Sequence, residues 1–461
     1  MTSSTQPSGQ PSGQSSLLTR FLHFAIFTLL RLFYPQIEIQ GREKVPKSGP
    51  IVFLLNHPNG LMDGVVLMTA LNRPISFLGK STLFGNPVGK TMMEAFGVLP
   101  VYRRRDDGLR GGPKGDANER NEMTFARCRA ILAEGGALAL CPEGTTHSHS
   151  QLLPMRTGAA RIVLGAEEEG GWRRGVQVVP VGLWFESKIH FRTSVLLVVG
   201  EPFDLADYAD DYAADKDQTI RTVTDKISNC LDKVVLQAEN AELLSAVSVI
   251  AAWIAPQGNA LTLPQQHEWA TKLLTLYEKL KHTDPARLGT FAQEARHYAN
   301  ALHTLGINDP WTLEEPIPHP EQLGWLIAKL LISFPFALAG FILSYIPYRL
   351  AGPVANAVAP DDTQISTFKL IGGSIFILLG WIIEAIASGV WFGPLWGLLL
   401  FVVNPPLAYI ALRWGEGWRQ LRDIASYNWL RWQRGELVKS LVRQRQALAQ
   451  QVMEAVQEES R

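Results

Sequence analysis

The chain has 461 residues, enough for two or three domains with a substantial core, so size excludes no enzyme class. Its 43 basic side chains are balanced by 43 acidic ones, which leaves no whole-chain field to draw in nucleic acid; any contact with a membrane or an anion has to come from local clusters. Cys128, Cys141 and Cys230 form no C-x-x-C pair and no framework, which argues against a zinc site and disulfides and fits a reducing compartment.

Residues 1–16, "MTSSTQPSGQPSGQSS", carry no charge and one apolar side chain, too little to order a segment, and are expected to be a disordered tail. Residues 17–34 are apolar nearly all round but are interrupted by Arg20, His23 and Arg31. They read as an interfacial or membrane-anchoring helix, with the interfacial form favoured because its basic side chains snorkel to lipid phosphates.

Residues 35–205 alternate apolar runs with helical spacers. The runs at 50–55, 75–79, 98–102, 136–141, 176–185 and 194–200 predict strands, and the spacers 121–134 and 156–169 predict helices. The pattern is that of an α/β domain: a mixed sheet flanked by helices. The charged, glycine-rich stretch 104–122 is expected to be a mobile loop. Residues 206–320 change character, with apolar residues at helical spacing in 219–237, 265–281 and 289–304, and form a helical region.

The membrane region, 321–412, follows. Residues 330–348 are 19 uncharged positions, and the 43 positions from 370 to 412 hold only Glu384 as a charge, with Gly389, Gly393 and Pro394 breaking that run in two. About 20 apolar residues cross a bilayer, so two to three transmembrane helices are expected. In the helical tail 413–461, residues 413–445 hold eight basic side chains against three acidic, together with Trp414, Trp418, Trp429 and Trp432, a flank that suggests the cytoplasmic face.

The chemistry is concentrated in the α/β domain. In "FLLNHPNGLMDG" (53–64), His57 and Asp63 are six positions apart, which turns a helix through about 240°, so the two do not share a helix face. His57 belongs on the loop leaving the strand, and Asp63 in the helix that follows. From there the carboxylate accepts one ring N–H and fixes the tautomer, so that the other nitrogen takes a proton from a substrate hydroxyl. The plainer alternative is a structural His–Asp pair. "LCPEGTTHS" (140–148) leaves a strand through a turn that aims backbone N–H groups and a carboxylate into the crevice where open α/β sheets bind ligands; Cys141 reads as an apolar strand end rather than a nucleophile. "GVLPVYRRR" (97–105) ends in three arginines, one of which, aimed inward, would fork onto a phosphate, and Arg156 offers a second cation. "LGKST" (78–82) is not a phosphate loop, because Pro74 stands where the glycine is required.

"NHPNGLMD", "GVLPVYR", "CPEGT" and "VVPVGL" occur in the order and approximate spacing of the four sequence blocks of the glycerolipid acyltransferases, and "LGKSTLFGNPVGK" and "MRTGAARI" also resemble that family. The larger layout is similar to that of the fungal-type glycerol-3-phosphate and dihydroxyacetone-phosphate acyltransferases and their bacterial relatives. The resemblance implies His57 as general base and Asp63 as its orienting partner. It puts Arg103 on the acceptor phosphate, Glu143, Gly144 and Thr145 in the acceptor-binding turn with Arg156 beside it, and Pro180 in the fourth block. Two departures stand out. Five residues separate His57 from Asp63 where four are commonest, with Asn59 marking the longer type, and Thr146 replaces the usual arginine of the third block, which shifts phosphate binding onto Arg103, Arg104 and Arg156.

The implied reaction is acyl transfer from acyl-CoA or acyl carrier protein to a hydroxyl of glycerol-3-phosphate or dihydroxyacetone phosphate. Lysophosphatidate acylation and a non-catalytic lipid-binding scaffold are the alternatives. No metal, cofactor or nucleic acid is expected. The partners are the two substrates and the bilayer, with the catalytic domain on the cytoplasmic face of an integral membrane protein. A cytoplasmic tail and a cytoplasmic catalytic domain need an even number of crossings between them, and three apolar segments are present; Pro335 and Pro347 make 330–348 the candidate for a re-entrant or interfacial piece.

Overall fold

A computed structural model describes residues 17–102, 117–254, 261–307, 309–314, 319–359 and 363–459. The expected tail 1–16 lies outside these residues. The α/β domain is built on seven strands: β1 (Gln36–Gln40), β2 (Ile51–Leu55), β3 (Ser76–Lys80), β4 (Val98–Val101), β5 (Ala137–Leu140), β6 (Gln177–Phe185) and β7 (Ser194–Val199). They pair in the order β1-β7-β6-β2-β5-β3-β4. The β6–β7 pair is antiparallel and every other pair is parallel, so the sheet is mixed as the sequence predicts. The edge strand β1 has no apolar run to betray it: "QIEIQ" is half polar and is placed by its pairing with β7.

Strand β2 lies at the centre with all five residues buried. Its side chains alternate between two cores, as the two-residue strand period requires. Ile51, Phe53 and Leu55 join the core under α1 (Leu17–Phe33), α2 (Leu61–Leu71) and α3 (Pro87–Ala95). Val52 and Leu54 join the core under α4 (Ala117–Ala133), α5 (Gly158–Glu169), α6 (Ala209–Ala214) and α7 (Lys216–Asp232). Helix α4 starts inside the stretch expected to be a mobile loop. Its first turn is fixed because the Asn121 side chain accepts from the Tyr102 N–H at 2.9 Å and donates to the Tyr102 carbonyl at 2.8 Å, an anchor on the end of β4 that composition does not reveal.

The helical region holds α8 (Ala241–Trp253), which the sequence reading missed, α9 (Leu263–Thr283) and α10 (Pro285–Thr304). Three long apolar helices follow, α11 (Pro320–Val358), α12 (Ile365–Phe392) and α13 (Pro394–Gln433), each long and apolar enough to cross a membrane. Gly393, at φ +104°, and Pro394 separate α12 from α13 at the break the sequence predicts. The segment 413–461 is no separate tail. Helix α13 runs on to Gln433, and α14 (Gly435–Glu459) packs into the helical region: Val438 and Leu441 against Tyr298 and Leu302, Ala449 and Val452 against Val247 and Leu273. Arg445, 2% exposed, pairs with Glu314, donates to the Trp253 carbonyl at 2.7 Å and stacks over Trp311.

Candidate active site

Strand register brings the first and third sequence blocks together. Leu54 of β2 lies opposite Leu140 of β5 and Pro180 of β6. Three residues beyond each, at the carboxyl edge of the sheet, stand His57, Glu143 and Leu183. Asn56 continues the ladder with its side chain, accepting from the Leu183 N–H at 2.7 Å and donating to the Leu183 carbonyl at 3.1 Å, so the chain leaves β2 in a fixed direction.

His57 sits on the loop and Asp63 in the first turn of α2, the arrangement expected from their spacing. The imidazole Nδ1 meets Asp63 Oδ2 at 2.9 Å, and the same oxygen accepts the Asn59 N–H at 3.0 Å. Asp63 is buried, whereas the His57 side chain keeps about a fifth of its surface open. Burial works against charging the ring, but the Cys141 sulfur and the Asp63 carboxylate beside it outweigh that, and the imidazole titrates well above its ordinary value. Asn59, which marks the longer His–Asp spacing, ties the loop to the neighbouring helices. Asn59 is fully buried and donates to the Tyr34 hydroxyl at 3.0 Å, just past the end of α1, and Tyr34 is in turn hydrogen-bonded to Ser366 at the start of α12. The sequence singled out Asn59 but gave no sign of Tyr34 or Ser366, whose partners are far away along the chain.

The third block serves the same loop. Glu143, 2% exposed, accepts the His57 N–H at 3.1 Å through one oxygen; the other takes the Leu153 N–H at 2.8 Å and pairs with His147. The His147 N–H donates to the His57 carbonyl at 3.2 Å. Glu143, assigned by resemblance to acceptor contact, is thus committed to protein donors and braces the His57 loop. Gly144, at φ +70°, has a backbone conformation that L side chains rarely adopt, and a Cβ there would lie 2.4 Å from Arg156 Cδ and displace that side chain. Arg156 is exposed, folds over that glycine and donates to the Glu143 carbonyl at 3.3 Å; it does not line the cleft that His57 opens into. Thr145 is half-buried in the same turn. Arg103 and Arg104 lie outside the described residues.

That cleft has a volume of about 680 Å³. Its lining includes the polar His57, Glu143, His147 and Lys188 together with the apolar Leu244, Val249 and Trp253 of α8 and Trp311, so the helical region contributes to the cleft that His57 lines. No group of three or more metal-ligating side chains occurs among the described residues.

Residues 36–184 match the family profile described as Acyltransferase. Residues 36–184 form an acyltransferase domain. The matches extend beyond it: the chain is 23% identical over 482 residues to "Glycerol-3-phosphate O-acyltransferase 1" of Saccharomyces cerevisiae, covering 85% of this chain and 62% of that protein. It is 29% identical over 158 residues to "1-acyl-sn-glycerol-3-phosphate acyltransferase BAT2, chloroplastic" of Brassica napus, covering 34% of this chain and 39% of that one. The chain therefore spans less than two thirds of the length of either relative. Among solved structures it resembles the 1-acyl-sn-glycerophosphate acyltransferase of Thermotoga maritima at 16% identity and a TM-score of 0.32, over 46% of this chain and 77% of that one. The three long apolar helices have the length and composition to cross a membrane.

Proposed function

We propose that this chain transfers a fatty acyl group from a thioester donor, acyl-CoA or acyl carrier protein, to the hydroxyl of glycerol-3-phosphate or dihydroxyacetone phosphate, with its catalytic domain on the cytoplasmic face of a membrane. The observation that carries the reading is the His57–Asp63 contact of 2.9 Å, with His57 lining the cleft. With Nδ1–H held by Asp63, the neutral ring presents its basic lone pair on Nε2. That nitrogen takes the acceptor's proton as the hydroxyl oxygen attacks the thioester carbonyl, and collapse of the tetrahedral intermediate expels the thiolate, which leaves as the thiol after taking that proton. Neither an acyl-enzyme nor a cofactor is needed. The apolar lining from α8 suits an acyl chain, and the polar lining suits a phosphorylated acceptor.

Lysophosphatidate acylation is the second reading, supported by the plant relative. The yeast relative favours glycerol-3-phosphate because its similarity continues through the helical region that lines the cleft. The deciding assay supplies labelled acyl-CoA to the purified protein in detergent with glycerol-3-phosphate, dihydroxyacetone phosphate or lysophosphatidate. General base catalysis contributes roughly 10²- to 10⁴-fold, so His57→Ala should lose at least that much turnover while staying folded and membrane-bound. Full activity in that variant would overturn the mechanism, and wild-type protein that forms product with none of the three acceptors would leave a lipid-binding scaffold.

A further inference from the structure

The family's usual third-block arginine is Thr146 here, and Arg156 lies outside the cleft, so among the described residues no arginine lines the cleft beside His57. Among the described residues that line the cleft, Lys188 is the one lysine or arginine. It stands on the loop 186–193 between β6 and β7, beyond the residues matched by the family profile. The loop is built to hold a fixed position. Ser366 of α12 donates to the Lys188 carbonyl, Lys369 donates to the Ile189 carbonyl at 2.8 Å, and the Arg192 N–H donates to the Phe33 carbonyl at 2.8 Å, while the Arg192 guanidinium pairs with Glu416 of α13. These contacts use the backbone of Lys188 and leave its ammonium to the cleft. Among the described residues no carboxylate lies within ion-pair distance of it; burial lowers its pKa, and the carboxylate whose charge it feels is Asp63.

A half-buried ammonium without a counter-ion is stabilised by an arriving anion. We propose that Lys188 binds the phosphate of the acceptor and sets the enzyme's requirement for a phosphorylated acceptor. The inference rests on the acyltransfer reading above. The acceptor is favoured over the donor because its phosphate is only a short carbon chain from the reacting hydroxyl, whereas the phosphates of acyl-CoA are the length of the pantetheine arm from the thioester. A lysine lining the cleft beside the base is within reach of the first.

The test uses the full-length protein in detergent. Lys188→Gln should raise the KM for glycerol-3-phosphate about 10- to 100-fold, the usual effect of losing one charged hydrogen bond, with the donor KM unchanged and Lys188→Arg recovering most of the loss. An acceptor KM within about twofold of wild type, or a rise in the donor KM alone, overturns the assignment. A second measurement does not depend on turnover: glycerol-3-phosphate should slow modification of Lys188 by an amine-acylating reagent, read by mass spectrometry, and absence of protection overturns the site. Wild-type protein that acylates none of the three acceptors, yet shows this protection, would overturn the reaction while keeping the anion site.

Discussion

At the residue scale, the His57 loop is determined by a buried network rather than by one pair. The base must be neutral to accept a proton, and its partners raise its pKa above the ordinary 6.5, so kcat/KM should rise with pH through a point on the alkaline side of that value. Replacing Asp63 by Asn removes a negative charge that favours the imidazolium. The acid limb of the profile should then move to lower pH, while the plateau falls because the tautomer is no longer fixed; an unmoved limb would show that Asp63 does not set the base's pKa. Tyr34 and Ser366 act through Asn59. Burial pushes the Tyr34 phenol up to about 12, so it remains a neutral hydroxyl that accepts from Asn59. Tyr34→Phe strands a buried donor, which costs about 1–3 kcal/mol, and kcat should fall about tenfold or more with little change in either KM. Ser366→Ala should act in the same direction, and the double variant should show less than the sum of the two, as members of one network do. The sequence disclosed His57, Asp63 and Glu143 because their spacing and neighbours are local. It concealed Lys188, Tyr34 and Ser366, whose roles exist only once residues more than 100 positions apart have packed together.

At the element scale, what was legible follows the kind of signal each segment carries. Buried strands such as β2 and β6 announce themselves as apolar runs, whereas β1 and α8 do not: one is a half-polar edge strand, and the other is apolar without a clear face. The start of α3 was available, since Asn86 caps the Gly89 N–H at 2.8 Å and Pro87 occupies the first turn. Helix α9 carries a testable cost. His267, 6% exposed with Nε2 lacking a partner, stands edge-on to Trp184 of β6, and burial pushes its pKa down from 6.5 to about 4. Below pH 6.5 the unfolded chain takes up a proton that the folded chain refuses until about pH 4. Stability should therefore fall as pH drops through that window, by on the order of 3 kcal/mol in all. His267→Gln should flatten this slope when the thermal midpoint is followed from pH 7 to pH 5; an unchanged slope would place the acid sensitivity elsewhere. Glu314→Ala would leave Arg445 buried without its counter-charge, a loss of roughly 3–5 kcal/mol that should release α14 from α8 and α10 and lower the thermal midpoint at neutral pH.

At the scale of the whole molecule, the contacts bear on the parity of the membrane segments. Helix α14 packs into the helical region that lines the cleft, so we expect the carboxyl-terminal helix and the catalytic domain on one face of the membrane. Three membrane-region positions reach that face. Ser366 and Glu416 both bind the loop 186–193, and Leu330, whose carbonyl accepts the Trp414 indole at 3.0 Å, lies beside them on α11. Between Ser366 and Glu416 the chain must go in and return, and α12 and α13 do so around the Gly393 turn, with Asn404 donating to Glu384 at 3.0 Å midway. Helix α11 starts its apolar stretch beside Trp414, passes Leu407 at Gly340, meets Trp381 at Ser344 and Gly380 at Pro347, and reaches Gly373 at Ala351. Its second half therefore runs back along α12 toward the catalytic face, with Pro347 and Pro353 inside the helix where it turns. We expect two crossings, α12 and α13, with α11 re-entrant. In a background without the native cysteines, Ala359→Cys should react with a membrane-impermeant maleimide from the face that bears the catalytic domain, and Trp391→Cys from the opposite face. Labelling of Ala359→Cys from the opposite face and of Trp391→Cys from the catalytic face would make α11 a third crossing and would require α14 to reach the helical region by some other path.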